Sequence, residues 1–292
     1  MITSGSRGSN ISWSSNDSAI SSIGVVTRGS TDTIVTLTGS STYSGATASK
    51  QFIITVIGTA STENDNYGTY YNGITEVAGN ALKLELRNLI TETHTYKTTY
   101  ADCTTMLDEA DADPNKEGNL ILFYTGVSVS GVWDSGTTWN REHVWAQNLA
   151  QGWFTDSGAG SDLHHIRPVD QSVNSTRGNK KFGNVTGGTI VYLDSNDPTS
   201  AVAGEYLNSY FEPNDNVKGD IARIIFYLMT RYSESDNFSW ESIAESYEVL
   251  KAWHEADPVS EAEISRNNYI YTIQGNRNPF IDIPNYAEAI WG

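Results

Sequence analysis

The sequence predicts an α+β protein with a small all-β segment at its N-terminus and, in the remainder, helices around a short β-containing centre. Three observations support this fold class. Residues 1–58 are rich in Ser, Thr and Gly and contain short β-branched runs. The apolar residues between Ile221 and Tyr232 recur at helical spacing. Residues 119–125 form a compact apolar run of the kind found in buried strands.

The N-terminal segment is predicted to contain four short strands separated by turn residues. They cover Asn10–Ser14, Gly24–Thr27, Thr33–Thr38 and Gln51–Ile57. Four strands are too few for a closed sandwich of roughly seven. The order ISWSSND, GVVTRGSTDTIVTLTG, KQFIITV resembles the latter part of a bacterial immunoglobulin-like (Ig-like) repeat of the kind attached to secreted or surface enzymes. The resemblance implies a partial Ig-like β domain over residues 1–58, with a fragment boundary at Met1.

The larger domain is predicted to follow a linker. Residues 59–69 are polar and lack periodicity, which is typical of a linker, so the domain should span residues 70–292. Its predicted helices each carry one apolar face. They cover Val77–Ile90, Ile221–Tyr232 and Ser239–Ala252.

Composition restricts the class of protein. With 292 residues, of which 38% are hydrophobic, the chain has enough apolar material for a core. No apolar run is long enough for a membrane helix, and the N-terminus lacks the pattern of a signal peptide. A single cysteine, Cys103, excludes an internal disulfide framework and a multi-cysteine zinc site.

The charge of the chain is unevenly distributed. A net charge of −17 disfavours binding to nucleic acid at long range. Residues 163–183, however, contain four cations and one anion, a local charge of +3. At physiological salt, charges more than about 8 Å apart are largely screened from each other. A phosphate bound near residues 163–183 would therefore interact mainly with the local cations and little with distant carboxylates.

The segment from Trp139 to Gly183 contains three of the five histidines and the residue types that phosphodiester hydrolysis requires. The reaction needs a base for water, charge neutralisation on the phosphate and help for the departing oxygen. A strand is predicted over Trp139–Ala146, on which Glu142 and His143 would point to opposite faces. His143 is a candidate base, because an imidazole is largely neutral at neutral pH. The alternative is a structural histidine beside a buried tryptophan.

Oxygen ligands for a hard cation are available in the same segment. Glu142 offers a carboxylate and Asn174 a neutral amide oxygen, and Mg²⁺ or Ca²⁺ needs few protein ligands because it keeps several waters. The alternative for Glu142 is a surface carboxylate paired with Arg141. The alternative for Asn174 is the N-cap of a helix.

Candidate phosphate-binding residues follow the first strand. A second strand is predicted over Asp162–Pro168, with Leu163, His165 and Arg167 on one face and Asp162, His164 and Ile166 on the other. Sequence alone leaves open which histidine faces phosphate; we expect His165, with Arg167. A short helix over residues 171–182 would add further candidates. These are Arg177, Asn179, Lys180 and Lys181, for which the alternative is a solvated helix face.

Strand, connection, strand and helix in this order correspond to the ββα-metal arrangement. The motifs NREHVWAQ, DLHHIRPVD, VNSTRGNKKFG and QGNRNPFIDIP resemble, in the same order, the endonuclease I family of bacterial extracellular nucleases and ribonucleases. The resemblance extends from about Tyr70 to Gly292, including YYNGITEVAGNALKLELRNLI and LFYTGVSVSGVW.

The resemblance implies a secreted or cell-surface bacterial enzyme, a monomer, that cleaves DNA, RNA or both without sequence specificity. It further implies that His143 is the general base, that Glu142 and Asn174 hold one divalent cation (Mg²⁺, with Ca²⁺ or Mn²⁺ as alternatives), and that the products carry 5′-phosphates. Some members of the family bind the phosphate through an arginine between the two strands. This chain has none between Arg141 and Arg167, so the role would pass to Arg167, Arg177 or a lysine.

Three other classes of protein are alternatives to a nuclease. The chain could be a secreted adhesion or binding protein with an inactive nuclease-like scaffold, although the intact Glu142, His143 and Asn174 argue against this. A metal phosphodiesterase acting on a small diester or a lipid head group would use the same residues. A zinc hydrolase is disfavoured, because the chain lacks HExxH and paired cysteines.

Overall fold

A computed structural model describes residues 2–5, 9–27, 33–56, 67–150, 158–233 and 239–292. The chain forms two compact units, Met1–Gly68 and Thr69–Gly292. Most of the predicted linker, residues 59–66, lies outside the described residues, as does Ile57 at the end of the fourth predicted strand.

The N-terminal unit contains a three-stranded antiparallel sheet in the order β1-β2-β3. The strands are β1 Asn10–Ser15, β2 Thr33–Tyr43 and β3 Ala46–Val56. Ser44 and Gly45 have φ values of 49° and 84°, which suits the two-residue turn of a tight hairpin. The predicted strand over Gly24–Thr27 is absent from the described part, where Val26 forms only an isolated bridge with Ile20.

The larger unit contains eight α-helices within its described residues. They are α1 Gly79–Thr93, α2 Cys103–Ala110, α3 Gln171–Arg177, α4 Lys218–Arg231, α5 Tyr247–Ala256, α6 Glu261–Gln274, α7 Pro279–Asp282 and α8 Tyr286–Trp291. The predictions of α1 and α4 were correct to within a few residues. The predicted helix over Ser239–Ala252 was wrong in its first half, because the Ser246 side chain caps α5 by accepting from the Val249 N–H.

The strands of the larger unit form small sheets rather than one large one. Two are antiparallel pairs, and the third has four strands in the order β8-β11-β10-β9. The pairs are β4 Asn119–Ile121 with β5 Ser128–Ser130, and β6 Asn140–His143 with β7 Ile166–Val169; the third sheet comprises β8 Lys181–Phe182, β9 Thr189–Tyr192, β10 Val202–Leu207 and β11 Tyr210–Pro213. The mixture of helices and strands agrees with the predicted α+β class.

The core of the larger unit is built around α4, which packs against α1 and α5. The apolar residues that predicted this helix, such as Ile221, Ile225 and Leu228, are buried. Among the described residues, no helix has both the length and the apolar character needed to cross a membrane.

Three predicted element boundaries near the histidine-rich segment were wrong. The first strand ends at His143 instead of Ala146. The second strand begins at Ile166 instead of Asp162, because the Asp162 carbonyl accepts from the backbone N–H groups of His165 and Ile166 and so forms a turn. The following helix ends at Arg177 instead of 182. Gly178 has a φ of 50°, and Lys181 then pairs in β8.

Candidate active site

The strands β6 and β7 and the helix α3 form one contiguous unit. In the β6–β7 ladder, Glu142 lies opposite Arg167 and His143 lies opposite Ile166. Asp170 caps α3 by accepting from the N–H groups of Ser172 and Val173, so Asn174 is not the N-cap. The β6–β7 pairing and the cap of α3 hold the two strands and the helix together around Glu142 and His143.

Arg177, at the end of α3, anchors this helix to β6. Its guanidinium donates to the carbonyl oxygens of His143 at 3.2 Å and Val144 at 2.5 Å, and Nη1 lies 3.3 Å from Glu142 Oε1. The arginine is fully buried. Arg177 therefore positions the carboxylate and the backbone of the histidine, and its placement does not support the predicted direct contact with phosphate.

Glu142 is a buried carboxylate held on one oxygen. Only 3% of the residue is exposed, and Oε1 accepts a 2.7 Å hydrogen bond from the Tyr124 hydroxyl as well as the ion pair from Arg177. Burial raises the pKa of this carboxyl, while Arg177 and the hydrogen bond from Tyr124 lower it. The alternative of a surface carboxylate paired with Arg141 is therefore wrong.

Asn174 lies on α3, one turn before Arg177, and is half-buried. Its amide nitrogen donates to the Arg141 carbonyl on β6 at 3.5 Å, a long contact. The side chain thus reaches the strand next to Glu142, and its amide oxygen is not the atom used in this contact.

The imidazole of His143 has contacts that differ from those of the Glu142 carboxylate. Nε2 lies 2.9 Å from the Gly160 carbonyl oxygen, which only accepts hydrogen bonds. Nε2 must therefore carry the proton in this contact, and Nδ1 carries the lone pair. The ring also stacks on Tyr100 with centroids 5.4 Å apart and meets His165 edge-on.

His165 is a structural histidine, and its predicted contact with phosphate is not supported. It is fully buried, its Nδ1 donates to the Ala159 carbonyl at 2.7 Å, and its Nε2 accepts from the Trp145 N–H at 2.9 Å. Both ring nitrogens are therefore engaged. Burial, together with the nearby His143, lowers the pKa of this imidazole to about 3.

His164 is also buried. Its Nε2 lies 3.2 Å from the Asn276 carbonyl oxygen, and burial lowers its pKa to about 4 although the neighbouring Asp162 opposes this. Asp162 accepts hydrogen bonds from the hydroxyls of Tyr227 and Tyr232. The second predicted strand therefore contributes a buried structural cluster to the fold instead of an imidazole that faces phosphate.

The remaining residues of the predicted phosphate site lie in different environments. Arg167 pairs with Asp111 at 3.1 Å and stacks over Phe123. Lys180 donates to the Thr176 carbonyl at 2.5 Å and lies over the Tyr206 ring. Asn179 is exposed. Arg167 is thus held by a carboxylate that it shares with Arg266, which does not support its predicted phosphate contact.

Tyr124 and Tyr100 were not identified from the sequence, although one contacts Glu142 and the other His143. Tyr124 belongs to the apolar run that predicts a strand, and Tyr100 precedes α2. No spacing relates either residue to β6, because both contacts are made by tertiary packing.

A hard cation fits the residues present at Glu142 and Asn174. Carboxylate and amide oxygens are ligands that such ions prefer, and both Tyr124 and Arg177 contact the same oxygen of Glu142, so the known contacts do not engage Oε2. Within the described residues, no group of three or more His, Cys, Asp and Glu side chains forms a denser metal cluster.

Comparisons with known proteins bear on this site. A family model described as Endonuclease I matches residues 78–285, and one described as an atrophied bacterial Ig domain matches residues 1–59. The chain is 40% identical over 237 residues to the extracellular ribonuclease of Bacillus subtilis (strain 168), covering 76% of this chain and 78% of that protein. It is 38% identical, with the same coverage, to the extracellular ribonuclease of Bacillus amyloliquefaciens.

A shorter similarity extends to deoxyribonucleases. The chain is 28% identical over 126 residues to an extracellular deoxyribonuclease of Aeromonas hydrophila, covering 41% of this chain and 48% of that protein. The protein is therefore a nuclease, a hydrolase that acts on nucleic acid.

Within that class, the chain belongs to the Endonuclease I family. Both resemblances predicted from the sequence, to this family and to a bacterial Ig-like repeat, are confirmed. Nucleases of the family generally use a divalent metal ion, and several relatives are extracellular or periplasmic proteins.

Proposed function

We propose that the protein is a metal-dependent endonuclease that hydrolyses phosphodiester bonds in RNA and DNA without sequence specificity and leaves 5′-phosphates. The observation that carries the proposal is the placement of Glu142 and His143. They occupy adjacent positions at the end of β6, with Asn174 of α3 against the same strand, so a base and two oxygen ligands meet at this strand end. We propose that β6, β7 and α3 form a ββα-metal core.

His143 acts as the general base in this proposal. The Gly160 carbonyl holds the proton on Nε2, so Nδ1 accepts the proton of the attacking water. The stacked Tyr100 ring and the edge of His165 fix the plane of the imidazole. Because His165 is neutral, it adds no positive charge that would weaken the base.

Glu142 and Asn174 would hold the divalent cation, with Mg²⁺ the ion we propose. When bound, the ion supplies positive charge that stabilises the transition state and the departing 3′ oxygen. Tyr124 and Arg177 keep the Glu142 carboxylate in one orientation, and Arg177 also offsets its charge when no cation is bound.

The substrate is proposed from the relatives. The two Bacillus proteins that match over most of this chain are named ribonucleases, and the Aeromonas protein that matches a shorter part is named a deoxyribonuclease. We therefore propose that RNA and DNA are both cleaved. Because these relatives are named extracellular, we propose that the enzyme acts outside the cytoplasm, secreted or at the cell surface. We further propose that it is a monomer and that residues 1–58 form an accessory Ig-like β domain before the nuclease domain.

The test is cleavage of plasmid DNA and of structured RNA by the purified chain, with and without chelator. We expect cleavage of both that chelator abolishes and Mg²⁺ restores. The 5′ ends should accept a radioactive phosphate from polynucleotide kinase only after phosphatase treatment. Binding without cleavage would instead favour an inactive scaffold, and cleavage of bis(p-nitrophenyl) phosphate alone would favour an enzyme for small diesters.

A further inference from the structure

Arg141 differs from the other two arginines of the β6–β7–α3 unit in its charge environment. Arg167 is paired with Asp111, and Arg177 is paired with Glu142. Arg141 forms no ion pair with any carboxylate among the residues that the structure describes. Within the described residues, Arg141 is therefore the arginine of this unit whose guanidinium has no carboxylate partner and is left to pair with an anionic ligand.

Two aromatic rings hold the Arg141 guanidinium in place. Its central carbon lies 3.6 Å from the centroid of the Tyr100 ring and 4.9 Å from that of Trp133. Nη1 donates to the Tyr100 carbonyl, whereas Nε is buried and has no hydrogen-bond partner. A guanidinium held by stacking loses little side-chain entropy when it binds an anion.

Tyr100 connects this arginine to the proposed base. Arg141 and His143 are two residues apart on β6 and therefore project to the same side of the strand. Both contact the same ring, since the His143 imidazole stacks on Tyr100 at 5.4 Å. Trp133, Tyr100 and Arg141 are all half-buried, so the stack borders the surface next to His143.

We infer that the stack of Trp133, Arg141 and Tyr100 is a phosphate-binding subsite that holds a backbone phosphate of the nucleic-acid strand beside the bond being cleaved. Arg141 supplies the charge through the edge of its guanidinium. Trp133 and Tyr100 keep that edge in a fixed direction and offer apolar surface to the adjoining sugar or base. The inference rests on the proposed nuclease function, because it assumes that His143 faces the cleaved bond.

The binding test compares Arg141→Gln and Arg141→Lys in the catalytically disabled His143→Ala background. Affinity for a fluorescent single-stranded oligonucleotide is measured by anisotropy at several salt concentrations. We expect Arg141→Gln to weaken binding and to reduce the slope of log Kd against log salt by roughly 0.7, the value for one lost phosphate contact on a single strand. Arg141→Lys should keep the slope and lose part of the affinity, because lysine lacks the stacked, planar donors.

The matched control is Lys116→Ala, which removes one exposed positive charge away from β6. It should leave the slope unchanged. A purely structural role of Arg141 would lower thermal stability without changing the slope, so a melting curve accompanies each variant. An unchanged slope in Arg141→Gln would overturn the inference.

The cleavage test uses an oligonucleotide with one uncharged methylphosphonate linkage at a fixed position and resolves cleavage at every other bond. In the protein that keeps Arg141, we expect slower cleavage at one bond beside the uncharged linkage than at the other bonds. We call this local decrease the dip. Arg141→Gln should cleave all bonds more slowly and show no dip. If the dip persists in Arg141→Gln, the subsite is elsewhere and the nuclease function stands; if the unchanged protein neither binds nor cleaves the oligonucleotide, both proposals fail.

Discussion

The Tyr124 hydroxyl donates a 2.7 Å hydrogen bond to Glu142, and it does so to the same carboxylate oxygen that Arg177 contacts. Tyr124 is itself fully buried, and burial raises the pKa of its phenol well above the usual range. The phenol therefore stays a donor at every pH of interest and orients Glu142. A group that orients a metal ligand typically changes metal affinity about 10- to 100-fold.

Tyr124→Phe should raise the Mg²⁺ concentration needed for half-maximal nuclease activity by about 10-fold or more, with a smaller effect on the rate at saturating metal. Removal of the hydroxyl frees the carboxylate to rotate without removing it. A metal titration of the initial cleavage rate measures the shift. Tyr271→Phe removes an exposed phenol as a control and should leave the titration unchanged. An identical titration in Tyr124→Phe would show that the hydrogen bond does not act on metal binding.

Glu142→Gln should raise the metal requirement further than Tyr124→Phe does, because it removes the anionic ligand. It also leaves Arg177 buried beside a neutral amide, so the loss of the ion pair lowers the free energy of unfolding. Calorimetric metal binding separates the two effects, since it is measured on the folded protein. Wild-type affinity in Glu142→Gln would mean that other residues hold the ion.

His143→Ala should lower the cleavage rate about 10²- to 10⁴-fold, the range for a lost general base. The fold should be retained, but the melting temperature should fall somewhat, because the variant loses the hydrogen bond to Gly160 and the ring contacts with Tyr100 and His165. Partial recovery with added imidazole would support proton transfer as the lost function. A variant that cleaves at the original rate would remove His143 from the mechanism.

The sequence predicted those parts of the fold that local periodicity determines. The repeat from Ile221 to Tyr232 correctly predicted α4. The hairpin of β2 and β3 was only partly predicted, because the residues near its turn are mostly Ser, Thr, Gly and Ala and carry little apolar signal.

The environment of the histidine-rich segment could not be predicted from alternation. His164 and His165 lie in a turn stabilised by Asp162, where neighbouring side chains need not face opposite sides. Their partners, such as Asn276 and Ala159, are contributed by other segments of the chain. The sequence thus predicts the residue types of the site. Burial and hydrogen-bond partners determine which histidine can act as a base.

The buried histidines predict that the protein loses stability in acid. Burial lowers the pKa values of His164 and His254 to about 4 and that of His165 to about 3, whereas an unfolded histidine titrates near about 6.5. Below about pH 6.5 the unfolded chain therefore binds more protons than the folded one. Each histidine then removes up to about 1.4 kcal/mol of unfolding free energy per pH unit, until its folded pKa is reached.

Asp220 opposes this trend. Its burial and the nearby Glu263 raise the pKa of this carboxyl, so the folded state binds the proton more tightly than the unfolded state does. Its contribution to stability is therefore lost as pH rises. This carboxyl offsets only part of the effect of the three histidines, so unfolding still takes up protons between about pH 6 and pH 5.

Urea unfolding at a series of pH values between about 7 and 5 should therefore show a free energy of unfolding that falls steadily with pH. His165→Gln should be less stable at neutral pH, because it disturbs the bonds to Trp145 and Ala159, but its stability should fall less steeply in acid. Substitution of an exposed residue such as Lys116→Ala should leave the slope unchanged. Stability independent of pH over this range would mean that the histidines are solvated in solution; an unaltered slope in His165→Gln would show that this residue is not one of the groups titrated on unfolding.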